Sequence, residues 1–212
     1  MKHPRALLLL AAPVLLLAAC ATPADEHEGG DAPGGPGARG PVAAQGEVIG
    51  QGTVLQIEGE DAQFCLAGVM ESYPPQCGGP VVVGWEWPDD GMWESASGVT
   101  WGTYALQGTW DGVEFTLTQA PIPLALYDPM MEEPDPRSDP ANAGDSSEEL
   151  LLRVQEELHT WSDVTVLQSY PENGYLWASV YYDDGSIQSY LDETYGPDVV
   201  IVQSALRDLP AA

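Results

Sequence analysis

The spacing of apolar residues changes several times along this 212-residue chain, and each change predicts a different kind of structure. Residues 7–19 form an almost unbroken apolar run. After a stretch with scarcely any large apolar side chain, short runs rich in β-branched and aromatic residues recur at 52–57, 63–69, 81–87, 100–108 and 113–119, punctuated by glycine. That pattern predicts five short strands. Asp111-Gly112 separates two of them as a hairpin signal, and Asp89-Asp90-Gly91 marks a second turn.

Toward the C-terminus the period lengthens. Leu151, Val154, Leu158 and Trp161 recur on one helical face; Asp145, Ser146 and Ser147 offer caps at its start, and Ser146 with Glu149 fits a capping box. Residues 164–170 and 175–182 then alternate as strands about Asn173-Gly174, a strong hairpin turn. After Asp183-Asp184-Gly185, Ser186 is placed to cap a short helix with Ile187, Tyr190, Leu191 and Tyr195 on one face, and Gly196-Pro197 stops it. Residues 199–203 form the last strand. The order helix, strand, strand, helix, strand is most of a ferredoxin-like unit, its first strand supplied by residues 122–127 or lacking.

The expected fold class is therefore α+β: a small disulfide-braced β-barrel, OB-like, followed by a ferredoxin-like α+β domain, after a signal peptide and a flexible tether. The boundaries are 1–19 for the signal, 20–46 for the lipidated tether, 47–120 for the β domain, 121–146 for an acidic proline-rich linker, 147–206 for the α+β domain and 207–212 for a tail. Gly29-Gly30, Gly34-Gly35 and Pro36-Gly37 make the tether too poor in apolar surface to offset ordering entropy. Repeated prolines from Pro121 to Pro140 remove backbone donors and block regular helix in the linker.

The first twenty residues carry an address. Lys2, His3 and Arg5 precede the apolar run, which is shorter than the roughly 20 residues of a membrane-crossing helix but suits an export signal. The run ends Leu17-Ala18-Ala19-Cys20, which resembles the lipobox of bacterial lipoproteins. The resemblance implies cleavage before Cys20, lipid on its sulfur, and a chain held to the extracytoplasmic face of the cell membrane. Two acyl chains suffice for stable anchoring at about 0.8 kcal/mol per buried methylene.

Two cysteines remain, Cys65 and Cys77, and an oxidising compartment predicts a disulfide between them. A zinc pair is the competing reading, but it needs further sulfur or imidazole, and no histidine lies nearby. Beyond residue 19 the chain has no lysine and four arginines, Arg39, Arg137, Arg153 and Arg207, against 33 acidic residues. Such a balance opposes contact with nucleic acid or anionic headgroups, and its simplest role is solubility.

Reacting groups are scarce. Of three histidines, His3 leaves with the signal and His27 lies in the tether, so His159 is the sole imidazole for triad chemistry, and its place in the last helical turn gives it a dipole-complementing role instead. Zinc-protease, nucleophile-elbow and phosphate-loop motifs are missing from the sequence. The expectation is a protein that is not an enzyme and carries no cofactor or metal. The two Asp-Asp-Gly turns lack the spaced ligands of a calcium loop.

Trp85 and Trp87, two apart and followed by Trp93, Trp101 and Trp110, are candidate ligand-binding residues, with core packing as the competing use in a β domain short of other large side chains. Cys65-Leu66-Ala67-Gly68-Val69, Pro74-Pro75-Gln76-Cys77 and the flanking Trp85-Glu86-Trp87 and Trp101-Gly102-Thr103-Tyr104 resemble a family of uncharacterised exported bacterial lipoproteins, as does the close from Tyr195-Gly196-Pro197 to Arg207. The resemblance implies export and carries no activity. The functional expectation is a membrane-anchored binding or scaffolding module for a cell-envelope protein or polymer, with no nucleic-acid partner. The alternative is an inhibitor or prodomain-like regulator of an exported enzyme.

Overall fold

Two long strands form the spine of the N-terminal half. The computed structural model describes residues 41–129 and 134–209, so Cys20, the apolar run 7–19 and the expected tether up to residue 40 lie outside the described residues. Strand β1 (Glu47–Ile57) and strand β5 (Val99–Trp110) pair antiparallel from Glu47 opposite Thr109 to Ile57 opposite Val99. Both exceed the runs expected at 52–57 and 100–108, because Gly50 and Gly52 look like punctuation in the sequence but serve packing. A Cβ on Gly50 would stand 2.7 Å from Leu206 Cδ2, and one on Gly52 would stand 2.6 Å from the Cys65 carbonyl oxygen.

Shorter strands line both edges of this spine. Strand β2 (Gln63–Cys65) pairs with β1, while β4 (Trp93–Ala96), β6 (Phe115–Leu117) and β7 (Ile122–Pro123) pair with β5. Strand β3 (Val82–Val83) runs parallel to β6. The sheet is mixed and curls into a half-barrel, bringing β2 beside β3 through the Gln63–Val81 bridge and a bond from Phe64 N–H to the Pro80 carbonyl at 2.9 Å. Inside the curl, Val48, Val54, Phe64, Tyr104, Leu106 and Phe115 are fully buried, and the Phe64 and Phe115 rings meet edge to face at 5.5 Å. Each such side chain contributes about 1.5–3 kcal/mol on burial. The expected strands at 63–69 and 81–87 are cut short: the chain turns away after Cys65 and again at Gly84, whose φ is 81°.

The Cys65–Cys77 disulfide is present, with Cα atoms 6.0 Å apart. Cys65 belongs to β2 and is 1% exposed, so the bridge ties the following loop to the buried edge of the sheet.

The C-terminal half builds a separate three-stranded sheet. Strand β9 (Tyr175–Val180) lies in the middle, antiparallel to β8 (Val166–Glu172) and parallel to β10 (Val200–Ser204). Helix α1 (Glu148–Leu158) packs Leu151, Val154 and Leu158, and helix α2 (Ser186–Tyr195) packs Ile187 and Leu191, onto Leu176, Ala178, Val180 and Val200. The alternate positions Tyr175, Trp177 and Ile201 form a smaller cluster with Tyr170. Asn173 and Gly174 take φ values of 52° and 79°, the left-handed pair that a tight hairpin needs. Strand β10 lies directly beside β9, and Ile122–Pro123, one proposed source of a first strand for this sheet, belongs to the other sheet.

Of the three caps the sequence offers α1, Ser147 is the one used, accepting from Leu150 N–H at 3.3 Å, and the capping box from Ser146 is not formed. At α2 the cap position is Gly185 rather than Ser186, and the Asp183 carboxylate accepts from the N–H groups of Gly185, Ile187 and Gln188. A carboxylate meets those orphan donors better than a hydroxyl, because it also complements the positive end of the helix dipole.

Two tertiary features were not in the pattern. Strand β11 (Arg207–Asp208), placed in the tail by sequence, pairs with β1 at Val48 and Ile49. Residues 136–138 and 140–142, expected to be extended, form 3-10 turns: Arg137 bridges Asp135 (2.7 Å) and Asp198 ahead of β10 (3.0 Å), and Asn173 Nδ2 of the β8–β9 turn donates to the carbonyls of Arg137 and Asp139.

Candidate functional site

Trp85 and Trp87 follow β3 in non-strand backbone, and their rings meet edge to face at 5.1 Å. Both gather around Tyr104 of β5, at 5.3 Å from Trp85 and 6.5 Å from Trp87, and Trp93 of β4 closes on Trp87 at 5.8 Å. Edge-on ring pairs of this kind set positive ring edges against negative faces and hold their geometry beyond what area alone gives. The group exists because Gly102, paired with Trp93, leaves the space: a Cβ there would lie 2.7 Å from Tyr104 Cε2.

Polar tips fix the outer rings. Trp87 Nε1–H donates to Gln56 Oε1 at 2.7 Å, and Gln56 Nε2 in turn donates to the Glu60 carbonyl at 3.0 Å. Trp93 Nε1–H donates to the Pro88 carbonyl at 3.0 Å. The inner tips are different, since Trp85 Nε1 and the Tyr104 hydroxyl are buried without a hydrogen-bonding neighbour in good geometry among the described residues. Burial, and after it the negative charge of Asp90, push the Tyr104 phenol up to about 12. It stays a neutral phenol throughout the physiological range.

The two competing uses of the tryptophans are both realised in part. Trp85 and Trp87 are half-buried and pack against the β core, while Trp93 is 39% exposed beside the exposed Met92. Next to Trp85 a cavity of about 280 Å³ opens between Gln56, Asp61, Val83, Gly84 and Glu114. Residues 41–129 hold twelve Asp and Glu and no Lys, Arg or His, so the segment that carries the aromatic group has charges of one sign only. On the other face of β5, Trp101 stacks against Tyr73 of the disulfide loop at 5.5 Å, and Tyr73 is 75% exposed.

The remaining sequence candidates have local roles. His159 stands at the C-cap of α1 with Nε2 3.4 Å from Ser169 Oγ. The Asp-Asp-Gly turns spend carboxylate oxygens on backbone donors: Asp90 accepts from Met92 N–H, Asp183 caps α2, and Asp184 accepts from Ser186 N–H. Among the described residues no group of three or more His, Cys, Asp or Glu is arranged to hold a metal ion, and no helix is long and apolar enough to cross a membrane. Cys20 lies outside the described residues.

Sequence reasoning missed the parts that complete the aromatic group: the strand bearing Trp93, the central place of Tyr104 and the bracing Gln56. One signal was available. Ser97-Gly98, with φ of 53° and 77°, is a two-residue hairpin turn between β4 and β5. No protein-family model, curated protein or solved structure matches the chain.

Proposed function

We propose that this protein is an extracytoplasmic binding module, tethered to the membrane through lipid on Cys20, whose contact surface is the ring group of Trp85, Trp87 and Trp93. The observation that carries this reading is that the rings are held around Tyr104 by ring contacts and hydrogen bonds yet keep exposed faces, within a segment, residues 41–129, whose charged side chains are all acidic. Rigid aromatic side chains lose little entropy when they engage a partner, which makes them effective contact residues. The lipobox-like Leu17-Ala18-Ala19-Cys20 supports the anchor.

An OB-like barrel is our reading of the curled sheet, supported by the bonds that bring β2 to β3. The C-terminal sheet reads as a ferredoxin-like unit without its first strand, supported by the element order and by the parallel β9–β10 pair.

One observation favours the regulator reading instead: the disulfide-braced loop displays Met70 (66% exposed) and Tyr73, the kind of pre-organised apolar loop that enters a cleft on an exported enzyme. The two readings separate in one experiment. Cys20→Ala releases the protein from membranes on fractionation, whereas retention of that variant overturns the anchor. In a pull-down from envelope extract, Trp87→Ala combined with Trp93→Ala abolishes the catch if the ring group binds. Loss only on Met70→Ala with Tyr73→Ala transfers the function to the loop.

A further inference from the structure

A second cavity, of about 320 Å³, lies between the two halves of the fold, and it shares no lining residue with the cavity beside Trp85. Its walls come from both halves of the chain: Trp110 and Val113 from one side, Val164, Val180 and Ile187 from the other, with Pro41 and Val42 along the segment that enters the fold. The Trp110 and Tyr181 rings stack at 5.6 Å, and Trp110 Nε1–H is used by the Val42 carbonyl at 2.9 Å, which fixes that ring. The lining is therefore mostly apolar, of a size that suits a small organic molecule.

Two polar features give the cavity a direction. Asp163 is the only charged residue lining it, lies exposed beside Ser162 and Thr165, and has no cation within ion-pair distance among the described residues. Ser162 Oγ–H donates to it at 3.0 Å, which orients the carboxyl group. Tyr181 also lines the cavity, and burial raises its phenol above the usual value. An apolar cavity with aromatic walls and a single carboxylate selects one chemical class.

We propose that this cleft is a binding site for a small arylalkylamine: an apolar ring among Trp110, Val164, Val180 and Ile187, and an ammonium group directed to Asp163. The site is independent of the ring group at Trp85 and goes beyond the binding function assigned to it. Aryl burial supplies the affinity, and the carboxylate supplies the preference for a cation over its neutral or anionic isosteres.

Titration calorimetry of the full chain with phenethylamine, phenethyl alcohol and phenylacetate tests the assignment. Phenethylamine binds with the highest affinity, and Asp163→Asn weakens it roughly fivefold, as expected for one exposed ion pair, while leaving phenethyl alcohol unchanged. Thr165→Trp, an exposed substitution at the cleft, abolishes binding of both with an unchanged thermal melt. Trp87→Ala leaves binding intact, so failure of the ring-group reading would not be mistaken for failure here. Absence of binding at millimolar probe, equal affinity for phenethylamine and phenylacetate, or retention of binding in Thr165→Trp would overturn the proposal.

Discussion

The Tyr182 hydroxyl donates to the Asp208 carboxylate, 2.9 Å from one oxygen and 3.1 Å from the other, and Asp208 lies on β11 opposite Val48 of β1. A residue just past the end of the C-terminal sheet is thus bonded to a strand of the N-terminal one. Tyr182 and Leu206 also enter the core of the curled sheet, so the two halves are joined by side chains that the local pattern assigns to only one of them.

Tyr182→Phe lowers stability by about 1.5–3 kcal/mol, the range for a hydrogen bond to a charged group. Burial, then the Asp208 carboxylate, raise the Tyr182 phenol to about 12, above its ordinary value of about 10. Because the folded value is the higher one, the stabilisation is complete below about pH 10 and is lost as pH climbs toward 12. Denaturant melts across that window show a smaller alkaline loss in the variant than in the wild type.

Cys65→Ala with Cys77→Ala removes the closure of the loop between them, and stability falls by about 3 kcal/mol on the chain-entropy account. Intact mass before and after reduction of the wild type differs by two hydrogens. In the double variant the Tyr73–Trp101 contact loosens, read as increased proteolysis within residues 66–77.

Gly102→Ala drives a methyl group against the Tyr104 ring, Met92 carbonyl oxygen and Trp93 Cβ, and costs about 1–3 kcal/mol as overpacking. Near-ultraviolet circular dichroism reports the loss of ring order. A variant with wild-type stability and spectrum would show that the rings tolerate rearrangement.

Asp183→Ala strips α2 of the carboxylate that meets its first N–H groups and lowers stability by about 1 kcal/mol, whereas Ser186→Ala, at the position the sequence favours, has little effect. Thermal melts of the pair check this directly. Calcium at millimolar concentration leaves tryptophan fluorescence flat, since the turn carboxylates are engaged by backbone donors.

Much of the C-terminal half was legible because its signals are local. The face of Leu151, Val154 and Leu158, the Asn173-Gly174 turn and the Gly196 stop each act within a few residues, and the structure has α1, the β8–β9 hairpin and the end of α2 where they point. The cysteine pair was legible by elimination, since once Cys20 is assigned to lipid only one pairing of the other two remains.

The N-terminal half withheld more, for one physical reason. Its glycines at 50, 52 and 102 do not end strands; they make room for Leu206, the Cys65 carbonyl and Tyr104, which arrive from elsewhere in the chain. Sequence alone determined the α+β class, the disulfide and the strong excess of acidic over basic residues. Tertiary structure alone decided that Trp85, Trp87 and Trp93 surround Tyr104, that β11 returns to β1 and that a cavity opens between the two halves of the fold, because each of these depends on contacts between residues far apart along the chain.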